Sequence, residues 1–192
     1  NSNGNEISMP FDRRRDGFIM SEGSYVFVME ERDHAMSRGA RIYGEISGYG
    51  SLFSGNRKGD IGKRVEKAGN TMKSCFEDAG ISPDDIDLIN ANGNSGMLPD
   101  MIESRAIKDL FGKKSESIPV HAIKSTLGES YGASGAAQTA SALLSINNDL
   151  IPPTINCEEK DPECNLNIVK EKREEDINTV LINSFDLSGN NS

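Results

Sequence analysis

The chain has 192 residues, a formal net charge of −9, 35% hydrophobic residues, 19 glycines and no tryptophan. Such a length can bury a good core, and the composition fits a turn-rich soluble α/β protein. The acidic balance argues against a general nucleic-acid binder, and no run approaches the roughly 18 apolar residues of a membrane span.

The chain opens on the polar run Asn1-Ser2-Asn3-Gly4-Asn5, which has no signal-peptide pattern, and it reads as a piece of something longer. Residues 10–23 have no helical period and read as a structured loop. Tyr25 to Met29 is a continuous apolar run, as expected of a strand covered on both faces. Glu31 to Arg38 reads as a short helix stopped by Gly39, and residues 41–50 alternate as a long strand. From Asp60 to Ala79, apolar residues at Ile61, Val65, Ala68, Met72, Cys75, Phe76 and Ala79 define one helix face, with Gly80 as its stop. Ser82 caps a helical turn with Pro83 at its first position.

Ile86 to Ala91 is a short buried strand, and Asp100 to Phe111 a helix with Ile102, Ala106, Leu110 and Phe111 inward. Ser117 to Ile123 is the next strand, followed by a helix over about 132–147. The small residues opening that helix cost propensity, which predicts another backbone packed close against it. Ile151-Pro152-Pro153 is a proline-fixed turn, residues 157–176 are charged and irregular, and Thr179 to Asn183 is a last strand. Strands alternating with helices predict a layered α/β fold with a mixed sheet. A returning strand is expected beyond Ser192, so the C-terminus also reads as cut.

The three cysteines (Cys75, Cys157, Cys164) are odd in number and lack metal-ligand spacing, so no metal site is expected. Cys75 lies on a helix's apolar face. Cys157 and Cys164 could bridge, but reduced thiols suit a cytoplasmic protein better. Arg13-Arg14-Arg15, Lys63-Arg64 and Lys113-Lys114 are basic spots, read first as solvated surface and second as docking patches for an acidic partner.

Two loops carry the chemistry: Ile89-Asn90-Ala91-Asn92-Gly93-Asn94 and Lys124-Ser125-Thr126-Leu127-Gly128-Glu129. Each follows a buried strand, and loops at the carboxyl ends of strands are where open α/β folds put their functional groups. They resemble the histidine-bearing loops of the β-ketoacyl-ACP synthases, Asn-Ala-His-Gly-Thr and Lys-Ser-x-x-Gly-His. The likeness extends to Pro10-Phe11-Asp12 with Arg15-Asp16-Gly17-Phe18, to Ile151-Pro152-Pro153-Thr154-Ile155-Asn156, and to Asn183-Ser184-Phe185. It covers nearly all of the chain from about residue 10.

The resemblance implies a thiolase-like fold. Residues 1–38 would be the linker and last strand of an N-terminal ketosynthase half, and residues 39–192 the C-terminal ketosynthase-like domain. It implies no bound cofactor, since phosphopantetheine arrives on an acyl-carrier protein. It also implies a ketosynthase partner subunit, in a hetero- or homodimer, and a cytoplasmic location with no nucleic acid or membrane partner.

The departures bear on function. Both family histidine positions are replaced, by Asn92 and Glu129. Asn92 can donate a hydrogen bond but cannot accept a proton near neutral pH. A Glu129 anion has the wrong sign beside a developing negative charge. The resemblance places Phe185, Leu187 and Gly189 along the acyl pocket, Leu187 replacing an aromatic residue. Lys124 and Glu103 match retained positions that support the site, either catalytically or as a buried ion pair fixing the loop. No catalytic set is intact, and the family's nucleophilic cysteine matches none of the three here. Loss of both histidines on this scaffold resembles the chain-length factors of type II polyketide synthases. The alternative is a ketosynthase-fold acyltransferase or decarboxylase that uses Lys124, Glu129 or a water.

Overall fold

The computed structural model describes residues 7–53, 60–186 and 189–192. In chain order its elements are α1 (Arg32–Ser37), β1 (Leu52–Phe53), α2 (Ile61–Ala79), β2 (Leu88–Asn90), α3 (Met97–Phe111), β3 (Val120–His121), α4 (Lys124–Leu127), α5 (Ser134–Asn148), β4 (Leu150–Ile151), β5 (Arg173–Glu174), β6 (Val180–Ile182) and β7 (Asn190–Asn191). β2 lies between β3 and β6 and runs parallel to both. Parallel neighbours need a crossover, which α3 supplies between β2 and β3. β1 pairs with β7 and β4 with β5, both antiparallel, so the fold is a mixed layered α/β structure.

Helix α2 forms where the periodicity predicts. Asp60 caps it by accepting from the Gly62 amide, and Gly80 ends it at φ 67°. Its buried face, Val65, Ala68, Met72 and Phe76, packs on Ile102, Ala106, Ile107 and Phe111 of α3. Phe76 and Phe111 meet edge to face with centroids 5.9 Å apart. α3 begins a turn before the expected Asp100 because Pro99 is tolerated in a first turn, where its missing N–H has no intrahelical partner to lose. The central strands β2 and β3 are wholly buried beneath these helices, and their carboxyl ends point to one edge of the layer.

Three expectations fail. Tyr25 to Met29 joins no ladder among the described residues and stays exposed, Val26 at 91% and Val28 at 87%. A two-sided apolar run becomes a strand only when neighbours cover it, and none of the described strands lies alongside. Residues 41–50 also form no strand; instead Gly44 approaches Leu143 of α5 and Gly48 presses on α2, where a Cβ would stand 2.6 Å from the Cys75 carbonyl oxygen. The close backbone expected at the start of α5 is not found at its glycines, since among the described residues nothing lies within 4 Å of a Cβ built at Gly132 or Gly135. Cys75 is half-buried, and Cys157 and Cys164 are buried free thiols.

Candidate functional site

The carboxyl ends of β2 and β3 deliver the two loops side by side. Asn90 pairs with His121 across the strands, so Asn92 and Lys124 leave the sheet next to each other. Lys124 opens α4, a single turn that ends at Gly128 with φ 76°. A Cβ there would meet the Ile19 carbonyl oxygen at 2.9 Å, so the turn needs glycine on both counts. Gly128 returns the chain so that Glu129 faces back toward Lys124.

The result is a closed network. Lys124 Nζ donates to Asn92 Oδ1 at 2.7 Å and to Glu129 Oε2 at 2.9 Å. Glu129 Oε1 accepts from Ser134 Oγ at 2.5 Å and from the Tyr131 amide at 3.0 Å. Asn92 Oδ1 also accepts from the Phe185 amide at 3.1 Å. Asn92, Lys124 and Glu129 are all buried. Burying two charges is costly unless they are paired and hydrogen-bonded; here they pair with each other, both carboxylate oxygens accept, and the ammonium also donates to Asn92.

Glu103 does something different from the expected ion pair with Lys124. Its carboxylate lies fully buried under the first loop and accepts from the Asn92 amide at 2.8 Å, the Gly93 amide at 2.9 Å and Asn183 Nδ2 at 3.0 Å. The ammonium's partner is Glu129. Glu103 therefore fixes the loop through its backbone. Burial raises its pKa, partly countered by these hydrogen bonds.

One turn earlier on α3, Asp100 holds the Phe11 and Asn94 amides, and burial pushes it up to about 7. Residues 10–23 form the expected structured loop, knotted by Asp12. Burial would raise the Asp12 carboxyl, but the Arg14 guanidinium and the Arg14, Glu159 and Glu158 amides outweigh that and hold it at about 2.

This arrangement removes Arg13-Arg14-Arg15 as a free basic patch. Arg13 pairs with Glu159, and Arg14 with Asp12 and Glu158. Arg15 is buried, 2.6 Å from Asp161 and 3.4 Å from Asp100, and donates to Cys164 Sγ at 3.3 Å. Neither histidine reaches the network. His34 stands on α1 beside Glu30, and His121 lies sealed under α5, sharing a hydrogen bond with Ser141 Oγ at 3.3 Å.

Of the acyl-pocket candidates, Phe185 is partly buried against the core and gives its amide to Asn92. Gly189 follows at φ 105° in a turn closed by Asp186, and Leu187 lies outside the described residues. A cavity of about 380 Å³ opens beside α4, between Ile7, Ile19, Ser125, Leu127 and Asn156, and these candidates do not line it. Sequence reasoning missed Ser134 and the Tyr131 amide. A serine opposite an unexpected buried glutamate was the available signal, but it stood in a run of small residues read only as packing.

The model of the β-ketoacyl synthase C-terminal domain matches residues 43–158. The chain belongs to this family. A 3-oxoacyl-[acyl-carrier-protein] synthase 2 of Coxiella burnetii is 42% identical over 97% of this chain and 45% of its own length. One from Synechocystis is 37% identical over 96% and 44%. Among solved ketosynthase structures, a type II polyketide synthase acyl-carrier protein in complex with its ketosynthase matches at TM-score 0.91 and 33% identity. That match covers 96% of this chain and 45% of that one. The ishigamide ketosynthase/chain length factor matches at 0.87 and 35%, over 97% and 45%. The chain thus spans less than half the length of these ketosynthase relatives, and its fold is that of the C-terminal, thiolase-like part. Among the described residues no helix is long and apolar enough to cross a membrane, and no group of three or more His, Cys, Asp or Glu side chains could hold a metal.

Proposed function

We propose that this chain is the C-terminal part of a chain-length-factor-like subunit, which pairs with an active ketosynthase and helps shape its acyl pocket without condensing chains itself. The observation that carries this reading is the network at the loop ends, where Lys124 donates to Asn92 and Glu129, the two residues that on this reading stand at the family's histidine positions. Decarboxylative condensation develops negative charge on a thioester oxygen, and donors fixed toward that oxygen lower the barrier. Here the ammonium already serves a neighbouring carboxylate, and no imidazole is at hand to shuttle a proton.

In this reading Phe185, Leu187 and Gly189 border the acyl chain. The protein holds no cofactor of its own, works in the cytoplasm, and meets phosphopantetheine on an acyl-carrier protein. The ketosynthase complexes among its structural neighbours, one with a carrier protein and one with a chain length factor, support those two partners. Light scattering on the full-length parent mixed with an active ketosynthase tests the pairing. A one-to-one heterodimer is expected. A parent that remains a homodimer and does not bind the ketosynthase overturns the proposal.

A further inference from the structure

Most lysines and arginines of this chain have a partner: Arg13 has Glu159, Arg32 has Glu45, Lys73 has Glu77 and Arg173 has Glu175. Lys63, Arg64 and Lys67 on α2 have none among the described residues, nor has Glu66, the carboxylate between them. Lys63 and Lys67 are exposed one turn apart, with Arg64 half-buried beside them. Carboxylates outnumber Lys and Arg by 30 to 21, so three neighbouring cations without an ion pair are not explained by a shortage of acids. Helix stability does not account for them either. Lys63 and Arg64 stand in the first turn of α2, where the helix dipole favours carboxylates, and that turn holds no acidic residue. The cations and the positive end of the helix therefore add their fields over one surface.

The backbone sets this end of α2 beside the turn that follows β6. A Cβ at Gly48 would touch Cys75 and Ala79, and one at Gly50 would touch Thr71, so residues 48–53 run along α2 toward its N-terminus. At roughly 3.3 Å per extended residue and 1.5 Å per helical residue, Phe53 comes level with residues 63–67. Phe53 pairs with Asn190, whose amide donates to Asp186, and Asp186 follows Phe185, the residue whose amide holds Asn92. The basic stripe thus borders the edge where the loops meet.

We propose that Lys63, Arg64 and Lys67 form the docking surface for an acidic acyl-carrier protein, whose carboxylates supply the ion pairs that this chain withholds from them. The chain's net charge of −9 repels such a partner overall, so a local cluster decides where it lands. Arg13, Arg14 and Arg15 cannot serve, because each is already paired with a carboxylate. The inference rests on the carrier-protein partner of the proposed function and adds the surface that receives it. Pairing with a ketosynthase does not enter it.

Stopped-flow mixing of the full-length parent with holo-acyl-carrier protein tests it. Lys63→Glu combined with Lys67→Glu is expected to slow association about tenfold at low salt, and high salt should remove most of that difference. Lys113→Glu combined with Lys160→Glu is the control, since both lysines are exposed and have no carboxylate partner among the described residues. It changes the net charge equally and should alter the rate by less than about twofold. All four side chains are exposed, so neither pair of substitutions puts the fold at stake. Equal slowing by both pairs would mean that net charge alone sets the rate, and this overturns the inference. So does an unchanged rate in the first variant, or a parent that does not bind the carrier protein. A parent that pairs with a ketosynthase yet fails this test contradicts the inference alone, whereas docking through α2 without pairing contradicts only the proposed function.

Discussion

At the scale of single residues, buried ionisable groups set much of this protein's response to pH. His121 lies on β3 under α5, and burial holds it down at about 4 against an ordinary value of 6.5. The folded state then binds fewer protons than the unfolded chain between those values. Stability from keeping His121 neutral is therefore present above about pH 6.5 and is lost as pH falls toward about 4. Replacing it with Asn should flatten that part of the profile, by about 3 kcal/mol across the window, as read by chemical denaturation at several pH values. Asp12 acts in a lower range. Its carboxyl is held at about 2, so its contribution is complete above about pH 4 and disappears as pH falls through about 2. Asp12→Asn should lower stability at pH 7 by about 2 kcal/mol, because Arg14 and the loop amides lose an anionic acceptor. A variant as stable as the parent in urea would contradict this.

At the scale of elements, the packing of α2 on α3 was legible and the edge strands were not. The spacing of Val65, Ala68, Met72 and Phe76 specifies a helix face by itself, since a 3.6-residue period needs no neighbour to declare it. Phe76→Ala should cost about 3–5 kcal/mol, measured by denaturant unfolding, because it leaves a cavity against Phe111. A loss under 1 kcal/mol would mean the interface collapses to fill the space. Strands are different. Tyr25 to Met29 has every local mark of one, yet a strand exists only through its ladder, and the run carries no information about its partner. Gly48 was read as a strand position, although its lack of a side chain serves a close approach to α2.

The same contrast holds at the site. That Asn92 and Glu129 stand in the two loops after buried strands could be read from the sequence. Which cation Glu129 takes, and that Ser134 completes its shell, depends on the return of the chain at Gly128. Arg13-Arg14-Arg15 misled for a related reason. Three consecutive cations look like a patch until the loop folds back and distributes them to Glu159, Asp12, Glu158, Asp161 and Asp100.

At the scale of the whole molecule, the sheet β3-β2-β6 brings two loops and the turn after β6 to one edge, which is the part of the ketosynthase architecture that this chain supplies. Glu103 and Asp100 fasten the first loop from below, Gly128 turns the second, and Phe185 closes the third side through its amide. The loops at this edge are thus held by buried hydrogen bonds from several elements, with Lys124 and Glu129 paired at their centre.

Carbon dioxide release from malonyl-loaded acyl-carrier protein tests this account most directly, measured with the full-length parent alone and again with an active ketosynthase. The account predicts no release by the parent alone and turnover only with the partner present. Release by the lone parent, abolished by Glu129→Ala or Lys124→Ala in folded protein, would contradict it and mean that Asn92, Lys124 and Glu129 form a rebuilt catalytic site.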